Sequence, residues 1–244
     1  LNKASGVWNL KSQLRALQQG LWPKFLLSYD LDYLVVAGGG AGGNGAAGGG
    51  GAGGYRASGF GPSPTRNSAL SFSSVDVGTS YDVTIGAGGA NTPATPVIES
   101  GSDSIFNPGG SENTTTITAD GGGRGGNGGS NGTAGGSGGG AGFGGPTLPG
   151  PSKSGGAGNT PPRSPISQGN SGAGNQLNQG GGGGGGAGAA APNQNGGAGL
   201  TNNINNSCTT YAGGGGAGTN ENYPSTPIAG SGGSGGGGQG GGGP

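Results

Sequence analysis

Histidine and methionine are absent, and cysteine occurs once, as Cys208. Neither a disulfide framework nor a Cys/His metal cluster can therefore form within one chain, and a Cys-His nucleophile pair is excluded on the same ground. Charge is scarce as well: 9 basic and 9 acidic residues, 7% of the 244, cancel to zero. That balance lacks the positive footprint of a nucleic-acid binder and names no charged partner. Hydrophobic residues are 27% and aromatic residues 5%, below the apolar share of about 45–50%, glycine included, of an ordinary packed domain. An enzyme core is not expected. No apolar stretch approaches the roughly 18 residues needed to cross a bilayer, and the N-terminus has no basic-then-apolar leader pattern. Together the absences predict a non-enzymatic chain with no cofactor, no metal, no nucleic-acid partner and no membrane insertion. Leu1 in place of Met and a close within a glycine run add the expectation of a segment derived from a longer product.

What is present is glycine, 73 residues, with 16 prolines, distributed unevenly over three regions. Residues 1–32 have ordinary composition. Asn9 is placed to cap a helix in which Leu10, Leu14, Leu17 and Leu21 recur at i, i+4, i+7 and i+11, with Gly20 ending it before Pro23. Trp8 and Trp22 flank the helix, and Lys3, Lys11, Arg15 and Lys24 all precede the first acid, Asp30. Trp8, Leu10, Leu14, Leu17 and Trp22 are thus the candidate residues of a docking helix that meets a sister subunit or another chain of an assembly.

Residues 33–120 hold the β-forming runs at 33–37, 69–77, 81–85, 103–106 and 114–119, punctuated by glycine and proline turns. They predict a small antiparallel β-sandwich that includes the first glycine run, 38–54. The candidate core is Leu34, Val36, Phe72, Val75, Val77, Val83, Ile85, Ile105, Phe106 and Ile117. Residues 121–244 carry the remaining runs, at 121–145, 180–188, 196–199, 213–218 and 230–243, between spacers rich in Pro, Asn, Ser and Thr.

Within 122–133 the pattern tightens to Gly-Gly-X, placing Arg124, Asn127, Ser130 and Thr133 three residues apart, and Ala41, Asn44 and Ala47 repeat that interval. Period three belongs neither to an α-helix nor to a β-strand but to the left-handed extended helix with three residues per turn. Such a rod makes no internal hydrogen bonds, so its amides must find water or a neighbouring backbone. Two glycines in three leave two faces bare for neighbours. The pattern predicts a bundle of polyglycine II rods, hydrogen-bonded sideways, following an all-β scaffold that nucleates them. The competing reading is a flexible glycine-rich linker.

The segments DYLVVAGGGAGGNGAAGGGGAGGYR (32–56), GTSYDVTIGAGG (78–89), SGSDSIF (100–106) and ITADGGGRGG (117–126) together resemble the glycine-rich domain of bacteriophage virion and tail-fibre proteins, notably those of cyanophages. KASGVWNLKSQLRALQQGLWP (3–23) is similar to a connector that precedes such domains, and a related pattern occurs in the glycine-rich region of anaplastic lymphoma kinase. The resemblance implies a β scaffold carrying a polyglycine bundle whose distal loops meet a cell-surface receptor. Beyond residue 120 the aromatic residues are only Phe143, Tyr211 and Tyr223.

Some motifs mislead. Gly38, Gly40 and Gly43 match G-x-G-x-x-G after a strand, but residues 44–54 are mainly Gly and Ala and the next acid is Asp76, so neither the helix nor the ribose-binding acid of a dinucleotide site follows. The acids are scattered; Asp103, Glu112 and Asp120 are the one set near turns with the oxygen ligands that Ca²⁺ takes. The spacers 146–167 and 219–229 read as exposed loops, and Lys153, Arg163 and Tyr223, with Tyr211 just before, are the candidate contact residues. The resulting expectation is a structural virion or extracellular protein, a tail fibre or appendage, that partners other subunits as a homo-oligomer and presents loops to a host receptor. A self-assembling extracellular filament is the alternative, and an ice-binding protein a third.

Overall fold

The computed structural model describes residues 9–20, 28–29, 32–58, 75–76, 80–92, 97–107, 116–144, 152–164, 166–175, 180–219 and 229–241. Trp8, Trp22, Phe72, Val77 and Tyr223, and the side chain of Val75, lie outside the described residues. The helix α1 spans Leu10–Gln18. Asn9 caps it, its Oδ1 accepting the Ser12 N–H at 2.9 Å, and Gly20 follows its end at φ 65°. Ala16 is buried, whereas Leu10, Leu14 and Leu17 are 83%, 57% and 59% exposed.

The fold is otherwise all-β, in small antiparallel sheets. β1 (Ser28–Tyr29) pairs with β4 (Val75–Asp76), and β2 (Leu34–Val36) with β3 (Tyr55–Ala57). A three-stranded sheet has the order β5 (Asp82–Thr84), β8 (Ser104–Asn107), β9 (Ile117–Ala119). β6 (Asn91–Thr92) pairs with β7 (Val97–Ile98), and β10 (Leu200–Asn202) with β11 (Thr209–Tyr211). Ile117 is buried, and Leu34, Val36, Ile105 and Phe106 are half-buried. Val83 and Ile85, expected in the core, are instead 66% and 84% exposed. β5 is an outer strand, bonded on one side to β8 alone, and alternation along a strand marks a buried face only where something covers it.

The interior is built from the glycine runs. Two of the hairpins feed straight into them. The β2–β3 ladder pairs Leu34 with Ala57 and Val36 with Tyr55, and in unbroken register the N–H groups of Ala37, Gly40 and Gly43 donate to Gly54, Gly51 and Gly48 O at 2.9–3.1 Å. Only the repeat changes, from two residues to three. The β10–β11 hairpin continues in the same way, with the N–H groups of Gly214 and Ala217 donating to Gly197 and Gln194 O.

Along each run, amides three apart face one neighbour and intervening amides face others. In 48–54, Gly48, Gly51 and Gly54 donate to Gly126, Gly123 and Asp120 O, antiparallel, while Gly49 and Ala52 donate to Gly182 and Gly185 O, parallel. In 121–126, Gly122 and Gly125 donate to Gly38 and Ala41 O, Gly123 and Gly126 to Ser137 and Gly140 O, and Gly121 and Arg124 to the side chains of Asp103 and Ser100. The three donor directions of 121–126 identify a threefold rod; a β-strand has two. These bonds also run across residue 120, joining the first glycine run to the later ones.

Glycine is required by the approach of these backbones. A Cβ on Gly48 would overlap the carbonyl of Gly140, and one on Gly140 would overlap that of Gly182. Where a methyl group fits, the runs carry alanine: Ala52, Ala141 and Ala217 are at most 4% exposed. Much of the buried apolar surface is accordingly alanine, with Ile117, Phe143, Tyr33 and Tyr55 as larger members.

Candidate functional site

Asp120 stands where β9 becomes the rod 121–126, and only 6% of its side chain is exposed. Arg163 reaches it with both Nε and Nη2, donating to Oδ2 and Oδ1 at 2.6 Å in a bidentate pair. Gln168 closes the other side: its Nε2 donates to Asp120 Oδ2 and its Oε1 accepts the Asp120 N–H at 2.8 Å. The fully buried side-chain amide thus satisfies the acid's backbone and carboxylate at once, and the Gln168 main-chain N–H donates to Asn159 Oδ1 at 3.2 Å. Asn159, at φ 52°, also accepts the Arg163 N–H at 3.0 Å, and Asn159 and Thr160 donate their N–H groups to Gly136 and Gly135 O. The spacer 159–168 is therefore fastened to the rods at several points; its Thr160–Pro161 bond is cis.

A second guanidinium supports this corner. Arg56, on β3, is buried and donates from Nη1 to Ile166 O at 2.8 Å. Burial pulls its pKa down from the ordinary arginine range, with Arg163 nearby acting in the same sense, whereas the hydrogen bond to Asp120 raises that of Arg163. Tyr33 is pushed up to about 12 by burial, with Arg56 opposing. Farther along β3, the Tyr55 hydroxyl accepts Asn202 Nδ2 at 2.8 Å, with Asn202 only 1% exposed, which ties the 200–211 hairpin to the first one.

The candidate contact residues fall in separate places. Arg163 belongs to the Asp120 corner, its side chain one-third exposed. Lys153 is half-buried, its backbone exchanging hydrogen bonds with Asn175. Tyr211 is half-buried on β11, its hydroxyl accepting Asn205 Nδ2 at 3.3 Å. No hydrogen bond joins these three among the described residues. The loop 203–208 between β10 and β11 is largely exposed, turns at Asn206 with φ 64° and carries the free Cys208. Asp103 uses Oδ1 to accept the Gly121 N–H at 2.8 Å, and Glu112 lies outside the described residues. Reading the sequence did not single out Gln168, Asn159, Arg56 or Asn202. Arg56, Gln168 and Asn202 reach partners 110, 48 and 147 residues away, and Asn159 acts through a local turn that its spacer does not mark.

Chemically, the corner offers a substrate little. Asp120 accepts from Arg163 on both oxygens and from the Gln168 amide on Oδ2. Through these bonds the loop around Arg163 and Gln168 is tied to the rod that begins at residue 121. Among the described residues, no helix is long and apolar enough to cross a membrane. These features define a glycine-rich all-β protein in which packed main chain takes the place of a side-chain core. The family model for the glycine-rich domain matches residues 23–244, and the chain belongs to that family. No curated protein and no solved structure gives a match.

Proposed function

We propose that the protein is a non-enzymatic structural element of a phage tail fibre or comparable virion appendage, in which a stiff glycine lattice presents exposed loops to a host-surface receptor. One observation carries this reading: rod amides bond in three directions to neighbouring backbones, while the segments 159–168 and 203–208 are held from that lattice. A loop already fixed in place loses little freedom on binding. The near absence of charge suits a surface that meets a neutral, hydrogen-bonding partner. The exposed Leu10, Leu14 and Leu17 precede the family-matched region and serve in this reading as the attachment to a neighbouring subunit.

Immunogold microscopy with an antibody against residues 203–208 tests the proposal. Label at the distal end of fibres of fixed length on particles is the expected result. Unlabelled particles, or label along filaments whose length grows with protein concentration, would overturn it.

A further inference from the structure

In a lattice of this kind, each glycine is explained either by a neighbour in the space where a Cβ would stand or by a left-handed backbone. A few glycines have neither reason. A Cβ on Gly39 or Gly42 would meet nothing closer than 3.5 Å or 3.7 Å, and one on Gly238 or Gly241 would meet nothing within 4 Å. None of the four has a positive φ. Each pair is spaced by three residues, so each marks one face of one rod.

The hydrogen bonds show the same vacancy. In the rod 37–43, Ala37, Gly40 and Gly43 donate to 48–54, and Gly38 and Ala41 donate to Ser102 and Glu99 O. The third set, Gly39 and Gly42, has no acceptor among the described residues. In the rod 236–241, Gly237 and Gly240 donate to Gly233 and Gly230 O, whereas Gly238 and Gly241 again find none. Between these two rods, floored by 50–52 and 213–216, runs an open groove of about 210 Å³. Gly39, Gly42, Gly51, Gly215 and Gly238 line it, and Gln239 is its one long side chain.

We infer that this groove is the position of a further polyglycine rod, supplied by the 236–241 segment of a second copy of the chain. The occupant must offer carbonyls at three-residue spacing and no side chain on the facing side, because the Gly39 and Gly42 amides repeat at that spacing and the wall is bare. The 236–241 rod meets both demands: the carbonyls of Gly237 and Gly240, three residues apart, accept no hydrogen bond among the described residues, and a Cβ on Gly238 or Gly241 would meet nothing within 4 Å. Because that rod is also a wall of the groove, a two-fold axis along the groove places each copy's rod against the other's, so both interfaces form together. The pairing goes beyond loop presentation and is independent of it.

The test is the oligomeric state of the full chain by sedimentation velocity over a wide concentration range. Wild type is expected to form a dimer. The variant Gly39→Ala/Gly42→Ala/Gly238→Ala is expected to weaken dimerisation by at least tenfold while melting as wild type does at concentrations where it is monomeric, since each methyl group has room within the subunit. Gly128→Ala, equally open but off the groove, is expected to dimerise as wild type. A wild-type chain that stays monomeric throughout, or a triple variant that associates as tightly as wild type, overturns the inference. So does equal weakening by Gly128→Ala.

Discussion

The rod 136–142 and the corner around Asp120 solve one problem in opposite ways. Both bury polar groups that must be paired. In the rod, Ser137, Gly138 and Gly139 send successive amides to Ala52, Asn170 and Thr133 O, and a Cβ on Gly138 or Gly139 would overlap the carbonyl of Gly156 or Arg124. At the corner, the Asp120 N–H bonds to a glutamine side chain, and the carboxylate collects an arginine and an amide across 43 and 48 residues of sequence. Where the backbone is close enough to pair with backbone, adding an atom is harmful; where side chains span the gap, removing one is.

The largest effect is expected from an added atom. Gly140→Ala drives a Cβ into the Gly182 carbonyl, forcing two rods apart, and should cost more than about 3 kcal/mol. Thermal unfolding would register it as a chain that folds poorly or not at all. An unchanged melting temperature would mean that the rods are not in contact. Removing atoms at the corner comes next. Asp120→Ala strands Gln168 and Arg163 and should cost about 2–3 kcal/mol, less than a fully buried pair because Arg163 is partly solvated. Denaturant titration checks this, and Arg163→Ala in the Asp120→Ala background should add little. Asn202→Ala leaves the buried Tyr55 hydroxyl without its donor, at about 1–2 kcal/mol by the same titration.

The corner also predicts a pH response. The folded chain holds the Tyr33 proton up to about 12, against 10.0 for a free tyrosine. The unfolded chain releases that proton first, so stability is complete below about pH 10 and falls as the pH rises from 10 through about 12. Unfolding curves across that window should shift less in Tyr33→Phe than in wild type. The smallest effect is expected at α1: replacing Leu10, Leu14 and Leu17 with serine should change the stability of the glycine lattice by less than about 0.5 kcal/mol, since all three are exposed.

The same contrast separates what was legible in the sequence from what was not. The helix was legible because Asn9 and the leucine spacing act over a few residues, and the threefold rod because Gly-Gly-X repeats locally. Short strands such as β2 and β9 lay within their predicted runs. β3, β10 and β11 were not legible as strands: Tyr55–Ala57 and Leu200–Asn202 directly follow glycine, and none of the three carries a sustained apolar–polar alternation. Val83 and Ile85 have the alternation of a buried strand, yet β5 lies at a sheet edge. The Asp120 corner was invisible because each partner is ordinary in its own neighbourhood. Arg163 was noticed as a cation in an exposed spacer; only the folded chain joins it to an acid on a rod.

Amide hydrogen exchange, resolved by NMR on the monomer, tests the central claim most directly. Main-chain amides of glycine rods that pair with one another should exchange orders of magnitude more slowly than free ones. Gly51, Gly140, Gly182, Gly214 and Gly240 are predicted to be protected, while Gly39 and Gly42 in the run of Gly51 and Gly238 in the run of Gly240 exchange rapidly. Uniformly fast exchange across 121–219 would contradict the account, and so would protection that ignored the three-residue alternation.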